Sequence, residues 1–262
     1  MKWSRRLQTL AEEVAEGAPM ADIGTDHAYL PIHLKREGIC PHVILCDVSR
    51  GSLQKAEADW KNVLPDEPAD LRLGDGLQVL REGEVKTVVM AGIGGILTAD
   101  IMEHDLNKAR SFSRYVLQPR SHAGYLRWRL ACDGFQIDRE QIAPEGRRLC
   151  EILTVSPDFS AASGTKNSAS RGEWQEENNQ QNPAGLSAFH AIDPDVQSQF
   201  SYPDDLHPDE PYVREYLMRH LEKQRKILQN QEKAADLQSQ SEEIIRTRAL
   251  ITRLEKLLQI KE

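Results

Sequence analysis

Asp22-Ile23-Gly24-Thr25-Asp26-His27-Ala28-Tyr29-Leu30-Pro31 joins a short apolar run, Met20–Ile23, to an amphipathic stretch, Tyr29–Arg36. A strand that stops at a glycine and gives way at once to a helix is the first half of a βαβ unit. Gly24 permits a tight turn and close approach of the backbone to a ligand, and the following helix start offers unpaired amides. The same alternation continues on both sides of this turn. Strands are expected at Val43–Cys46, Asp70–Leu73, Thr87–Ala91 and Tyr115–Leu117. Helices are expected at Ser52–Asn62, Leu97–Glu103 and Tyr125–Cys132, with a leading helix at about Trp3–Glu16.

The rhythm then changes. Phe135–Ile142 and Leu149–Val155 read as extended segments joined by the turn signal Pro144-Glu145-Gly146. Too few residues separate them for a crossover helix, so they pair antiparallel. The fold class is therefore α/β, a Rossmann-like parallel sheet closed by an antiparallel hairpin. Three regions follow: a domain over 1–155, a polar and disordered linker over 156–207, and C-terminal helices over 208–262. In the last region Val213, Leu217, Leu221 and Leu228 form one stripe, and Ile244, Ile251 and Leu258 recur every seven residues with Leu254 between. These are coiled-coil seams. Lys233–Gln240 lacks the seam, so a turn there gives two antiparallel helices; one long helix is the alternative, and self-association through the seam is a further expectation.

Composition sets outer limits. The chain has 262 residues, a net charge of −8 and a mean hydropathy of −0.56. No run reaches the ~20 apolar residues of a membrane span, and Glu12, Glu13 and Glu16 interrupt any signal-peptide core. The reading is a cytoplasmic protein whose cysteines, Cys40, Cys46, Cys132 and Cys150, are reduced and structural, with no metal site. The negative total argues weakly against a nucleic-acid partner, but within 108–148 nine Lys and Arg face four acids. That segment is either an anion-binding surface or an ordinary solvated face, and charge alone does not separate the two.

Four motifs stand at the ends of successive strands. A phosphate-binding dinucleotide loop wants glycine again near positions 26 and 29, where this chain has Asp26 and Tyr29. Asp26 repels a pyrophosphate but suits an ammonium or sulfonium cation, and S-adenosylmethionine carries both and no phosphate. Asp47 ends the second strand, where an acid accepts bonds from ribose hydroxyls; a dinucleotide site uses the same device. Gly74-Asp75-Gly76 follows the third strand, either as a simple turn or as an adenine contact. Met90-Ala91-Gly92-Ile93-Gly94-Gly95 follows the fourth, with glycines that let a flat group approach the backbone.

The string Asp22 to Pro31, together with Arg72-Leu73-Gly74-Asp75-Gly76-Leu77, Met90 to Gly95 and Val116-Leu117-Gln118-Pro119, closely resembles the bacterial tRNA (adenine-N1)-methyltransferases that act at position 22. The resemblance covers essentially all of 1–155, through Glu151-Ile152-Leu153-Thr154-Val155, and that family also carries a C-terminal coiled coil. It implies a class I methyltransferase fold with Asp22, Gly24, Thr25, Asp26, Asp47, Asp75, Gly76, Ala91 and Gly92 around S-adenosylmethionine. His27, Tyr29, Ile93 and Gly94 then face the acceptor base, and Arg120, Arg127, Arg147 and Arg148 are candidates for contact with tRNA. Arg120 is a departure, since relatives commonly have Asn there. Enzymes that methylate exocyclic adenine amines need an Asn/Asp-Pro-Pro-aromatic clamp, and this chain has none. Adenine N1 has an in-plane lone pair and needs no strong base, so alignment supplies much of the rate. A methyltransferase for another substrate and a non-catalytic donor-binding scaffold are the other readings.

Overall fold

The computed structural model describes residues 3–158, 185–234 and 242–260. Its first unit is built on a seven-stranded sheet in the order β3-β2-β1-β4-β5-β7-β6. The strands are β1 (Met20–Ile23), β2 (Val43–Asp47), β3 (Asp70–Leu73), β4 (Thr87–Ile93), β5 (Arg114–Pro119), β6 (Phe135–Glu145) and β7 (Arg148–Pro157). β1 to β5 are mutually parallel, and β7 pairs antiparallel with both β5 and β6. All five parallel strands and the closing hairpin stand where the apolar runs put them, each extended by no more than a few residues.

The inner strands are near-continuous apolar runs because helices cover both faces of a parallel sheet. Met20, Ile44, Leu45 and Met90 are fully buried at its centre. The helices are α1 (Arg5–Glu12), α2 (Tyr29–Arg36), α3 (Arg50–Val63), α4 (Gly95–Glu103), α5 (Leu106–Ser111) and α6 (Ala123–Cys132), with a 3-10 turn at Gly76–Val79. Ser4 caps α1 through Leu7 N and Ser49 caps α3 through Ser52 N. Trp60 anchors α3, fully buried with its indole N–H donating to Glu67 O at 2.8 Å. α1 is shorter than the sequence pattern suggests because Glu13, which follows it, turns inward. It accepts from Arg139 Nη1 at 3.0 Å and Thr154 Oγ1 at 2.9 Å, and so pins α1 to the hairpin.

At the other edge Arg72 locks β3. Its guanidinium donates to both carboxylate oxygens of Asp70 at 2.9–3.0 Å and to both of Glu84 at 2.8–2.9 Å. Cys40 and Cys46 are buried, and Cys132 and Cys150 are partly accessible. No helix among the described residues is long and apolar enough to cross a membrane, and no group of His, Cys, Asp and Glu there is arranged to hold a metal.

The second unit joins residues 123–128 to the C-terminal region. Its helices are α7 (Gly185–Ala191), α8 (Pro194–Ser201), α9 (Val213–Ala234) and α10 (Glu242–Leu258). The disordered linker expected over 156–207 is corrected at both ends: β7 runs to Pro157, and 185–201 is largely helical. Low average hydrophobicity concealed a few well-placed large side chains. Phe189, Tyr202 and Leu206 are buried, Phe189 packs edge-on to Tyr125, and Asp193 caps α8 with Pro194 in its first turn. Residues 159–184 lie outside the described residues, as do 235–241, which hold most of the expected turn. α9 and α10 pack together, and Val213, Leu217, Leu221, Ile244, Leu254 and Leu258 on them are buried. Arg225 meets Glu255 at 2.6 Å and Arg248 meets Glu232 at 2.9 Å, so the chain rises along one helix as it descends the other. That pairing is antiparallel.

The Arg72 network makes a stability prediction. Hydrogen bonds from Arg72 hold the Glu84 carboxyl at about 2, down from 4.5. A carboxylate with a depressed native value stabilises the fold above its unfolded value and loses that contribution as pH falls. Glu84→Gln is expected to lower the unfolding free energy by about 2–3 kcal/mol at pH 7. The gap between variant and wild type narrows as pH drops from 4.5 toward 2, which urea titrations at a series of pH values measure directly.

Candidate functional site

The strand order reverses between β1 and β4. From β1 the chain steps outward to β2 and β3, then returns to β4 on the other side and steps to β5. The helices after β1 and β4 therefore diverge, and the carboxyl ends of those strands open into a crevice. All four motifs fall on this edge.

Gly24 leaves β1 with φ +81° and donates its amide to Cys46 O at 2.8 Å, so the loop turns back over β2. Gly92 adopts φ +82° at a bulge between Ala91 and Ile93 that interrupts pairing with β5. A β-carbon on Gly24 would stand 3.1 Å from Ile93 Cδ1, which shows how closely the two loops approach across the switch point. Gly76, with φ +50°, turns the chain beyond β3, and a β-carbon there would collide with Ile101. Ala91, Ile93 and Gly94 are each partly accessible at the β4 end.

The acids differ in setting. Asp22 keeps only part of its surface accessible. Burial raises its carboxyl to about 6, with Thr25 and Arg6 pulling it back and Asp47 adding to the rise. Thr25 is itself buried, and its hydroxyl faces the Asp22 carboxyl without making any other hydrogen bond. Asp47 accepts from Ser49 N at 2.7 Å, which fixes its carboxylate at the β2 tip. Its carbonyl accepts from Gly74 N at 3.1 Å and so draws in the next loop. Asp75 is exposed at the head of the 3-10 turn. Asp26 is exposed and paired with Lys55 Nζ at 3.0 Å. A partly accessible acid with a raised value, faced by a buried hydroxyl, forms a setting complementary to a bound cation and its polar tail.

His27 and Tyr29 stack with ring centroids 5.1 Å apart and planes 16° from parallel. His27 Nδ1 lies 2.8 Å from Asp59 Oδ2. Lys55 and Asp59, both on α3, were not singled out from sequence. Their spacing of four puts them on one helix face, but a Lys–Asp pair on an amphipathic helix looks like any solvated pair until the β1–α2 loop is laid over it.

The loops after β4 and β5 interlock. Arg120 N donates to Ile93 O and Gly95 N donates to Ser121 O, each at 2.8 Å. A side chain on Gly95 would meet His122 O at 2.5 Å, so glycine is required there by contact rather than by φ. His122 is held at φ +55° without being glycine. Strained positions of this kind concentrate at functional edges.

The four candidate arginines separate. Arg120, Arg147 and Arg148 are exposed. Because β7 runs antiparallel to β5, the hairpin turn bearing Arg147 and Arg148 projects beyond the same carboxyl edge as the other motifs. Arg127 is a correction: it is 2% exposed, and its guanidinium donates to Phe200 O at 3.3 Å within the second unit. The basic excess over 108–148 shrinks in the same way. Arg110 donates to Asp133 O, Arg114 to Glu13 O, and the buried Arg129 pairs with Glu103 and Asp133. Alternating strand and helix turned half of that run inward, where guanidinium groups answer carbonyls and carboxylates.

Comparison with known proteins agrees with this geometry. The family model described as a methyltransferase domain matches residues 3–153. Over 155 residues, 59% of this chain, the sequence is 35% identical to the tRNA (adenine(22)-N(1))-methyltransferase of Bacillus subtilis (strain 168), and that match spans 65% of the relative's length. The crystal structure of the B. subtilis m1A22 tRNA methyltransferase TrmK superposes with a TM-score of 0.73 at 25% identity, covering 98% of this chain and 99% of that one. Sp1610 of Streptococcus pneumoniae, solved in complex with S-adenosyl-L-methionine, gives 0.73 at 27% identity over 98% and 100% of the two chains. With the family model spanning six strands and part of β7, and every strand-tip motif on one edge, this chain belongs to the methyltransferase-domain family.

Proposed function

We propose that this chain transfers the methyl group of S-adenosylmethionine to N1 of the adenine at position 22 of tRNA. The observation that carries the reading is the convergence of Asp22, Asp47 and Asp75, at the tips of three adjacent strands, with Gly24 and Gly92 across the switch point. Support for the tRNA substrate comes from the 35% identity to the B. subtilis enzyme over the same residues.

The residues present fit the donor. Asp22, Thr25 and Asp26 line the first loop and suit its amino-acid end, Asp47 the ribose and Asp75 with Gly76 the adenine, while the backbone of Ala91 and Gly92 closes the opposite wall. S-adenosylmethionine supplies an electrophilic methyl on a sulfonium. The chain's part is alignment: acids hold one side, the rim of His27, Tyr29, Ile93 and Gly94 holds a flat base on the other, and water is kept from between. Bringing an in-plane lone pair into line with the methyl is worth up to about 7–11 kcal/mol in favourable cases. A base stacked in a tRNA must first be extruded, at a few kcal/mol. Arg120, Arg147 and Arg148 are suited to steady the flanking phosphates on that edge.

Three measurements test this reading. Mass spectrometry of tRNA from a strain lacking this chain is expected to show one 1-methyladenosine missing. Wild type restores it, and Asp26→Ala restores about a tenth or less, for loss of a charge-assisted contact; an unchanged modification profile sinks the assignment. Donor binding is expected to weaken by about tenfold per pH unit as pH falls below the Asp22 value near 6, because the bound cation requires the ionised carboxylate. Calorimetry at pH 7.5 and 5.0 reads that slope, and Asp22→Asn flattens it. Arg147→Ala with Arg148→Ala is expected to lower the salt slope of tRNA binding by about 2 while donor affinity stays unchanged.

A further inference from the structure

We propose that Asp59 fixes His27 in the tautomer whose Nε2 lone pair faces outward, and that this lone pair accepts a hydrogen bond from the exocyclic amine of the target adenine. The inference rests on the tRNA adenine-N1 reading and adds to it a contact to the reacting base and a residue that positions that contact.

The geometry gives each partner one role. Asp59 Oδ2 lies 2.8 Å from His27 Nδ1, and an ionised carboxylate only accepts, so Nδ1 carries the proton. In the neutral imidazole Nε2 is then left with a lone pair. Asp26 Oδ2 stands 3.7 Å from it, too far for a hydrogen bond and with no proton to give. Lys55 holds Asp26 to one side through Oδ1 at 3.0 Å. Tyr29 lies stacked on one face of the imidazole. Asp59 is a firm anchor because it precedes Trp60, the buried residue on which α3 is seated. The His27 side chain is 43% exposed, on the rim proposed above for the acceptor base.

An acceptor here serves N1 chemistry. As the N1 lone pair forms its bond to the methyl carbon, the carbon–sulfur pair returns to sulfur and positive charge passes to the purine. Part of that charge resides on the exocyclic nitrogen, whose N–H becomes a stronger donor. A hydrogen bond from it to Nε2 therefore tightens in the transition state more than in the ground state, and such contacts raise the rate. No proton need be transferred. The opposite tautomer would present an N–H to an amine N–H and repel the base.

The test combines a spectrum with a double-mutant cycle on the full-length protein. Two-bond 1H–15N spectra of histidine-labelled wild type are expected to show His27 protonated at Nδ1, and Asp59→Asn to shift it toward Nε2. With saturating donor and unmodified tRNA, Asp59→Asn is expected to lower kcat about 10- to 100-fold, the cost typical of losing a ring-orienting partner. Its KM for S-adenosylmethionine stays within about twofold, since no donor contact is removed. In a His27→Ala background the Asp59 substitution costs nothing further, because its effect runs through the ring. A wild-type His27 protonated at Nε2, an unchanged kcat in Asp59→Asn, or an undiminished Asp59 effect without the imidazole each overturns the dyad. Wild-type protein that binds donor yet methylates no tRNA overturns the tRNA reading and the base contact together, and so differs from active enzyme with an uncoupled Asp59.

Discussion

The parallel pairing of β1 with β4, Met20 beside Thr87 and Asp22 beside Val89, is the constraint on which the site depends. The two strands are distant in sequence, yet they lie side by side because the chain first builds outward through β2 and β3 and then returns. Right-handed crossovers from two strands that leave in opposite directions carry their helices apart at the carboxyl edge. No side chain has to be excluded to make the gap, since the topology leaves it. What the sequence must then provide is backbone able to border the gap at close range. It does so with Gly24 and Gly92, both at positive φ, where an L side chain would be strained.

The electrostatics of the edge follow from that geometry. A carboxylate at a strand tip beneath a loop loses much of its hydration, and Asp22 shows the result in its raised value. A group held in that state is a poor structural element and a good receptor for a cation. Asp26 and Asp47 are handled differently, one paired with Lys55 and the other held by Ser49 N, so neighbouring acids meet the solvent in distinct conditions. The contrast with Glu84 is instructive. Its bidentate partner Arg72 holds it well below its ordinary value, and it serves to tie β3 into the sheet.

Much of this was legible from the residues. Strands β1 to β5 announce themselves as apolar runs because both faces are covered, and Pro144-Glu145-Gly146 marks the hairpin by turn chemistry. Each strand-tip motif alone also reads as a turn or a dinucleotide device; what was legible was four of them at the ends of successive strands, and the fold puts all four on one edge. What escaped has a common cause. Lys55 and Asp59 belong to an amphipathic helix and acquire a role only when a loop more than twenty residues upstream is folded over them. Arg127 looked like part of a basic surface because sequence counts charges without direction, and the helix turned it toward carbonyls. The helices within 185–201 were hidden by polar neighbours, since a window average dilutes a single Phe189.

The interlocked loops beyond β4 and β5 have a consequence for how such a rim can diversify. Because Ile93 O and Ser121 O each receive an amide from the opposite loop, neither segment has a conformation of its own. Gly95 packs against the His122 carbonyl, so the shape of one is the mould of the other. A change of preferred substrate by recombination would have to transplant both stretches at once, and grafting either alone would leave a mismatched seam. The heritable module at this rim is thus a discontinuous pair of peptides, joined by main-chain atoms that mutation cannot readily alter.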